Sequence, residues 1–197
     1  MLSLYHSPMS RSSRFVWLLE ELGADYELRY VEVSRPDGSG GVDPANPHPD
    51  GKVPALVHDG VLVTESAAIC LYLTDLFAEK GLGPAVGDPK RGPYLTWLAY
   101  YAGVIEPVVV IDATGHGDDP GLRRSFRGMA EMHARVGGAL EASPYLLGEE
   151  FSAADLIVAS LAQVVRPALP AGQPVDGWLE RINARPALAR AMAKDAP

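Results

Sequence analysis

The chain has 197 residues, of which 47% are apolar, enough for one large hydrophobic core or two small ones. It carries 17 basic and 25 acidic residues, a net charge of -8, and no run of lysine or arginine, so we expect no nucleic-acid partner. No stretch approaches the roughly 18 uninterrupted apolar residues of a membrane span. The single cysteine, Cys70, cannot form a disulfide within the chain. We therefore expect a soluble, cytoplasmic protein with no membrane partner.

The first 79 residues alternate between strand and helix patterns. Leu2 and Leu4 alternate with polar neighbours, which predicts a short strand that ends before Pro8. A helical stripe of apolar side chains follows and ends at Gly23. The remaining predicted elements are a strand over 26–33, an irregular stretch over 34–50, a hairpin around Asp59 and Gly60, and a helix capped by Thr64.

This order of elements predicts an α/β domain with one mixed sheet of four strands. A right-handed crossover makes the first two strands parallel, while the hairpin strands are antiparallel. The sequence thus predicts a sheet that combines both kinds of pairing.

Only helical patterns follow a segment rich in glycine and proline. We interpret residues 80–90 as a linker between a domain over 1–79 and an all-helical domain over 91–197. Helices are expected over 93–110, where Pro107 can introduce a bend, and over 122–140, 175–182 and 186–193. Another begins at Ser152, which forms a capping box with Asp155.

Four segments, in this order and spacing, resemble the glutathione transferase family over essentially the whole chain. They are Ser10–Arg14, Gly51–Leu56, Thr64–Ile69 and Phe151–Asp155. The run from Leu18 to Gly23 is similar to bacterial and fungal members of the serine-type, theta-like branch. The resemblance implies a thioredoxin-like glutathione-binding domain, an all-helical bundle that holds a second substrate, and a homodimer.

Val53 and Pro54 are the first expected contact with glutathione, the co-substrate. In this family the bond before the proline is cis, and the residue before it turns its backbone N–H and C=O toward the cysteinyl part of glutathione. Such pairing resembles the addition of a short peptide strand to a sheet edge. An isolated Val-Pro pair would more simply be the start of a strand; the flanking motifs favour the binding role.

Glu65 and Ser66 are the second expected contact, at the start of a helix. Free N–H groups and the positive end of the helix dipole hold a carboxylate well. The resemblance implies that Ser66 binds the γ-glutamyl carboxylate and that Glu65 pairs with the ligand's amino group. Both residues are also ordinary choices for a first helical turn. Lys52 suits the glycyl carboxylate or a nearby backbone contact.

A hydroxyl group near the start of the first helix is expected to stabilise the glutathione thiolate. The candidates are Tyr5, Ser7, Ser10, Ser12 and Ser13. Ser10 matches the serine of theta-like members by its distance from the strand and by Arg14 four residues later. Tyr5 lies where some tyrosine-using classes place theirs and is the alternative. Most of the five must be ordinary strand or capping residues.

Several other functions are disfavoured by the sequence. Cys70 lies in an apolar helical stripe, where a core position is expected, and no histidines show the spacing of metal ligands. Trp97, Tyr100 and Tyr101 would suit a small apolar electrophile, although each is equally compatible with the helical core. We therefore expect a glutathione transferase. A non-catalytic glutathione-binding module and a specialised glutathione-dependent isomerase, dehalogenase or lyase are the alternatives.

Overall fold

A mixed sheet of four strands organises the first part of the computed structural model, which describes residues 1–35 and 37–195. The strands are β1 (Leu2–His6), β2 (Glu27–Tyr30), β3 (Ala55–His58) and β4 (Val61–Thr64). Their order across the sheet is β2-β1-β3-β4, with β1 and β2 parallel and the other pairs antiparallel. The predicted thioredoxin-like, mixed sheet is confirmed.

Two helices, α1 (Ser13–Leu22) and α2 (Ser66–Leu76), belong to the same unit as this sheet. Helix α1 buries a continuous apolar face and ends, as predicted, at Gly23, which has a left-handed backbone (φ +60°). The predicted cap of α2 is wrong: Thr64 is the last residue of β4, and Glu65 occupies the N-cap position.

The rest of the described chain is helical. Its helices are α3 (Arg91–Tyr100), α4 (Glu106–Ala113), α5 (Pro120–Phe126), α6 (Met129–Ala142), α7 (Ala153–Ala159), α8 (Val175–Asn183) and α9 (Pro186–Asp195). A π-helical turn, Tyr101–Ile105, joins α3 to α4 without a break. The turn ends two residues before Pro107, whose missing N–H and ring interrupt the hydrogen-bond pattern of an ordinary helix interior.

The single helix predicted over 122–140 is divided in two. Arg127 has a left-handed φ of +64°, and Gly128 is extended, so the backbone between α5 and α6 leaves the helical conformation for two residues. The apolar periodicity continues on both sides of this break, which is why the sequence pattern does not reveal it.

The segment 91–113 is also long and apolar enough to cross a membrane when judged by length and composition alone. Core helices of soluble proteins pass the same test. Tyr94, Trp97 and Tyr101 of this segment are buried within the helical unit.

Asp155 is the buried polar centre of the helical unit. Its carboxylate accepts hydrogen bonds from the backbone N–H and the hydroxyl of Ser152, at 3.0 and 2.7 Å. It also accepts the N–H of Leu146 at 2.8 Å and the indole N–H of Trp178 at 3.0 Å. These bonds connect the start of α7 to the preceding loop and to α8, and they include the predicted contact between Asp155 and Ser152.

The described chain forms two compact units. One contains Met1–Phe77 together with the described residues from 185 onward, and the other is Ala78–Ala184. The sequence-based ranges assigned 186–193 to the helical domain, whereas α9 packs against α1 in the unit that contains the sheet. The pairing partners of α9 lie more than 160 residues away in sequence, so local patterns could not indicate this packing.

Candidate functional site

The strand register brings the sequence-predicted segments to one end of the sheet. Tyr5 in β1 is opposite Ala55, the first residue of β3, and Ala55 is opposite Thr64, the last residue of β4. The loop after β1, the residues before β3 and the start of α2 therefore leave the sheet side by side. The segments that contain the predicted glutathione contacts and the predicted thiolate donor therefore lie at the same end of the sheet.

Val53 lies just before β3, and the Val53-Pro54 peptide bond is cis. Pro54 is buried beneath the edge, and Val53 is half-buried. Within the described residues, neither the N–H nor the C=O of Val53 has a hydrogen-bond partner. Both backbone groups remain available to pair with a peptide-like ligand.

Glu65 and Ser66 form an uncapped start to α2. Glu65 is exposed and has a left-handed backbone (φ +68°, ψ 126°), a conformation that costs a residue with a side chain about 1–3 kcal/mol. No side chain caps the helix, and the N–H of Ser66 has no acceptor among the described residues. The first turn of α2 therefore offers free donors and the positive helix end to an anion.

Lys52 is exposed beside this edge. Its carbonyl oxygen accepts a hydrogen bond from the side-chain amide of Asn46 at 3.0 Å, which holds its backbone against the preceding irregular stretch. The lysine side chain is therefore anchored at its base and has access to solvent.

The loop between β1 and α1 contains a cluster of hydroxyl groups. Ser10 Oγ lies 2.7 Å from Ser12 Oγ and accepts the backbone N–H of Ser12 at 3.2 Å. Ser12 is fully buried, whereas Ser10 is partly exposed. Ser7 is also buried, and its N–H donates to Ser12 Oγ at 3.1 Å. Of these three serines, Ser10 is the one that is partly exposed to solvent.

His6 and Asp195 join this cluster and were not identified from the sequence. His6 is fully buried; its Nδ1 is 2.8 Å from Ser12 Oγ, and its Nε2 is 3.1 Å from Asp195 Oδ1. That second contact is close but not linear, because no described acceptor lies along the Nε2–H direction. The hydroxyl of Ser13 donates to Asp195 at 2.6 Å, and the N–H of Met9 approaches the same carboxylate at 3.3 Å.

The charge of Asp195 follows from this environment. Burial raises the pKa of its carboxyl group, but the His6 ring and the Ser13 hydroxyl outweigh that effect and lower the pKa overall. Asp195 is therefore an anion at neutral pH. A signal for His6 exists in the sequence, since it is a polar residue on the same strand face as Leu2 and Leu4. Asp195 has no comparable signal.

Helix α9 is held in place on α1 by ion pairs, which fixes the position of Asp195. Arg185 makes a two-pronged contact with Glu21, at 2.6 and 2.8 Å. Arg190 Nε contacts Glu20 at 2.9 Å, and Lys194 pairs with the same carboxylate. Both glutamates are largely buried, with 7% and 11% of their side chains exposed, so solvent screens these pairs only partly.

Tyr5, the alternative donor, lies in a different environment. Side chains alternate along a strand, so Tyr5 is on the sheet face opposite His6. Its hydroxyl accepts a hydrogen bond from Arg29 in β2 at 3.1 Å. Tyr5 therefore belongs to a surface ladder with Arg29, separate from the serine cluster.

The remaining sequence-based candidates lie in α2, in α3 and in the π-helical turn after α3. Cys70 is buried in α2, as predicted for a core residue. Trp97 and Tyr101 are buried within the helical unit, and only Tyr100 of the three aromatic residues is partly exposed. The Arg135 guanidinium lies 3.8 Å from the centre of the Tyr100 ring. Within the described residues, no group of three or more histidine, cysteine or acidic side chains could hold a metal ion.

Known proteins are similar to this chain in sequence and in architecture. Residues 1–75 match the family model for the glutathione S-transferase N-terminal domain. The chain is 29% identical to the disulfide-bond oxidoreductase YfcG of Escherichia coli strain K12, an alignment that covers 98% of this chain and 95% of the relative. It is also 29% identical to glutathione S-transferase 3 of Zea mays, with 98% of this chain and 93% of the relative covered.

A solved structure extends this likeness to three dimensions. The sphingomonad glutathione S-transferase complexed with glutathione is 26% identical, aligns over 98% of both chains and gives a TM-score of 0.79. Residues 1–75 thus resemble the glutathione S-transferase N-terminal domain, and nearly the whole chain is similar in sequence and fold to glutathione S-transferases.

Proposed function

We propose that this protein is a glutathione transferase of the serine-type, theta-like branch, which joins the glutathione thiolate to a small apolar electrophile. The observation that supports this most strongly is the strand register that gathers Val53, Ser66 and Ser10 at one sheet edge. Each of the three segments alone has an ordinary structural explanation. Their convergence at one edge provides complementary groups for the parts of a single peptide-like ligand.

In the proposed complex, glutathione pairs with the free backbone groups of Val53 through its cysteinyl part. The γ-glutamyl carboxylate accepts the free N–H at the start of α2 and the hydroxyl of Ser66, while Glu65 receives the amino group. Lys52 attracts the glycyl carboxylate. Opposite charges on the ligand and the protein thus face each other at both ends of the tripeptide.

Ser10 is the proposed hydrogen-bond donor to the thiolate. A free thiol has a pKa near 8.5, and lowering it by two units requires about 2.7 kcal/mol. A hydrogen bond to a charged partner contributes roughly 1.5–3 kcal/mol, and a helix N-terminus adds about 0.3–1 kcal/mol. One hydroxyl near the start of α1 is therefore sufficient, and no general base is required.

The proposed reaction is a displacement or an addition at carbon. The thiol proton passes to solvent when the thiolate forms, and the sulfur electron pair makes the new carbon–sulfur bond. In a displacement, the leaving group departs with the electrons of the bond that breaks; in an addition, solvent protonates the neighbouring carbon. The protein binds and stabilises the thiolate.

A thiol–disulfide activity is the second candidate, because one relative is a disulfide-bond oxidoreductase. In this chain the only cysteine is Cys70, which is buried in α2. Such exchange would therefore have to use the thiolate of glutathione itself, bound at the same site. A glutathione-dependent isomerase, dehalogenase or lyase would likewise share this first site, as would a non-catalytic binding module.

The test compares Ser10→Ala with Tyr5→Phe. The ultraviolet absorbance of the glutathione thiolate is titrated with wild-type protein and with each variant. We expect Ser10→Ala to raise the pKa of the bound thiol by about one unit and to lower kcat/KM at neutral pH about tenfold. Tyr5→Phe should change neither value. The reverse pattern would identify Tyr5 as the donor.

Substrate panels separate the related activities. We expect turnover of chlorinated nitroarenes with glutathione and little reduction of mixed disulfides. Binding of glutathione without turnover of any electrophile would favour the non-catalytic module. The homodimer and the cytoplasmic location are parts of the same proposal, and sedimentation and cell fractionation test them directly.

A further inference from the structure

The carboxylate of Asp195 contacts the chain on both sides of Ser10. Its Oδ1 lies 3.3 Å from the backbone nitrogen of Met9, which precedes Ser10, and 2.6 Å from the hydroxyl of Ser13, the first residue of α1. Its Oδ2 lies 3.4 Å from the same Met9 nitrogen. The carboxylate therefore bridges the loop before α1 and the start of that helix, and Ser10 lies between the two points of contact in sequence.

The contact through Ser13 has a single direction, because an ionised carboxylate only accepts hydrogen bonds. The one proton of the Ser13 hydroxyl is therefore donated to Asp195 at 2.6 Å. The lone pairs of the same oxygen remain free, and they accept the backbone N–H of Ser10 at 3.2 Å. Asp195 thus holds the backbone of Ser10 through one intervening hydroxyl, and the proton positions on the His6 ring do not enter.

Met9 has a left-handed backbone, with φ at +53°, which is uncommon and unfavourable for a residue with a side chain. Its side chain is 76% exposed, so packing of that side chain does not compensate the cost. The Pro8–Met9 peptide group is held instead through both of its polar groups. Asp195 accepts its N–H, and the guanidinium of Arg35 donates to its C=O at 3.1 Å. Opposite charges thus fix the peptide group that directly precedes Ser10.

The position of Asp195 in α9 is not explained by the helix itself. Asp195 is the last residue of α9, where the negative end of the helix dipole disfavours an anion. Its contacts come from β1, the loop after β1 and α1: the His6 ring, the Met9 N–H and the Ser13 hydroxyl. A residue that conflicts with its local structure and is compensated by other elements is typical of a functional site.

We propose that Asp195 positions the Ser10 hydroxyl for the glutathione thiolate, by holding the backbone of Met9 directly and the backbone of Ser10 through Ser13. Asp195 and Ser13 are positioning residues, since the contact with sulfur is assigned to Ser10 alone. A hydrogen bond weakens steeply outside its favoured distance and angle, so a fixed backbone keeps the donor effective. This inference rests on the proposed role of Ser10 as thiolate donor.

The test uses the full-length protein with reduced glutathione as the probe. Ser13→Ala removes the hydroxyl that accepts the Ser10 N–H, Ser13→Thr keeps it, and Asp195→Ala removes the carboxylate. Ser152→Ala is the matched control, because its hydroxyl donates to the Asp155 carboxylate at 2.7 Å in the other compact unit. Thiolate absorbance, KM for glutathione, urea unfolding and kcat at about pH 6, where the amount of thiolate follows its pKa, are measured for each variant.

The expected result is a split between chemistry and binding. Ser13→Ala should raise the pKa of the bound thiol by about half a unit and lower kcat at about pH 6 by about two- to threefold, with KM for glutathione within about twofold of wild type. Ser13→Thr should recover at least half of this loss on a logarithmic scale. Ser152→Ala should lower the free energy of unfolding more than Ser13→Ala does and leave the thiol pKa unchanged, so a general loss of stability cannot imitate the result.

Asp195→Ala separates position from charge. Removing a negative charge near the site favours the thiolate and would by itself lower the pKa of the bound thiol. Losing the contacts with Met9 and Ser13 has the opposite sign, and we expect it to dominate, with a rise in the thiol pKa of about half to one unit. A fall in the thiol pKa would mean that the carboxylate acts through its charge alone, and the inference would be overturned.

The contrary results separate the two proposals. If Ser10→Ala raises the thiol pKa but Ser13→Ala does not, the contacts of Ser13 are purely structural; this inference is overturned and the proposed function stands. If Ser10→Ala has no effect or wild type does not bind glutathione, both are overturned. Should Asp195→Ala fail to fold, Ser13→Ala decides alone, and an unchanged thiol pKa in that variant overturns the inference.

Discussion

Asp155 and Asp195 lie in different compact units, and different kinds of partner compensate the burial of their carboxylates. Asp155 is completely buried and is surrounded by neutral donors: two backbone N–H groups, a serine hydroxyl and an indole. Asp195 is only partly buried and faces an imidazole ring. Burial raises the pKa of Asp155 despite its hydrogen bonds, whereas the partners of Asp195 lower its pKa.

This difference distinguishes a carboxylate that supports the fold from one beside a site. Neutral donors satisfy the oxygens of Asp155 and connect α7, α8 and a loop. Asp195 faces the His6 ring, and the other ring nitrogen contacts the serine cluster of the loop between β1 and α1. Burial and hydrogen-bond count alone would favour Asp155 as the functional residue; the chemistry of the partners favours Asp195.

Replacing Asp155 should produce the largest effect on stability. In Asp155→Asn, one side-chain oxygen can serve Leu146 and Trp178, but the new amide group then faces the N–H of Ser152 without an acceptor. A buried donor without a partner costs roughly 1–3 kcal/mol, and the lost charge-assisted bonds add to that. We expect a loss of about 3 kcal/mol in urea unfolding. A loss below about 1 kcal/mol would contradict the assigned role of Asp155.

Two serine variants compare the two carboxylates through smaller expected losses of unfolding free energy. Ser152→Ala and Ser13→Ala each remove one hydroxyl that donates to a carboxylate, at 2.7 and 2.6 Å. Water cannot replace the donor beside Asp155, whereas it can reach Asp195. We expect losses of about 2 and about 0.5 kcal/mol in urea unfolding, respectively. Equal losses would show that solvent does not reach Asp195.

The sequence predicts well those features that local chemistry determines. Alternating apolar residues gave the mixed sheet, and Gly23 marked the end of α1, because both depend on a few neighbouring residues. The end of β4 was displaced by one residue, since Glu65 adopts a left-handed backbone that is rare for a residue with a side chain. No local sequence pattern predicts a positive φ at Glu65.

The residues of the candidate site likewise fall into those that short sequence motifs indicate and those that depend on contacts between distant parts of the chain. Val53, Ser66 and Ser10 lie in short motifs, so the resemblance could indicate them, and their proposed roles remain predictions. The contacts of Asp195 with His6 and Ser13 could not be predicted, because they depend on the packing of α9 against α1. That packing is stabilised by pairs such as Arg185 with Glu21, whose members are far apart in sequence.

The smallest predicted effect is a difference between two pH slopes. Asp195 has a lowered pKa in the folded state. Its contribution to stability is therefore complete at a pH above 3.8, the pKa of the unfolded state, and is lost as the pH falls through the pKa of the folded state. Asp155 has a raised pKa in the folded state. Its contribution to stability is therefore complete at a pH below 3.8, the pKa of the unfolded state, and is lost as the pH rises through the pKa of the folded state.

The free energy of unfolding, measured with urea between about pH 7 and 3.5, therefore separates the two carboxylates. As the pH falls, the difference between wild type and Asp195→Asn should shrink, while the difference between wild type and Asp155→Asn should grow. Each slope is limited to about 1.4 kcal/mol per pH unit, because one proton is involved. Slopes of the same sign would mean that the neighbours of the two residues do not set their charges as the geometry indicates, and the comparison between them would fail.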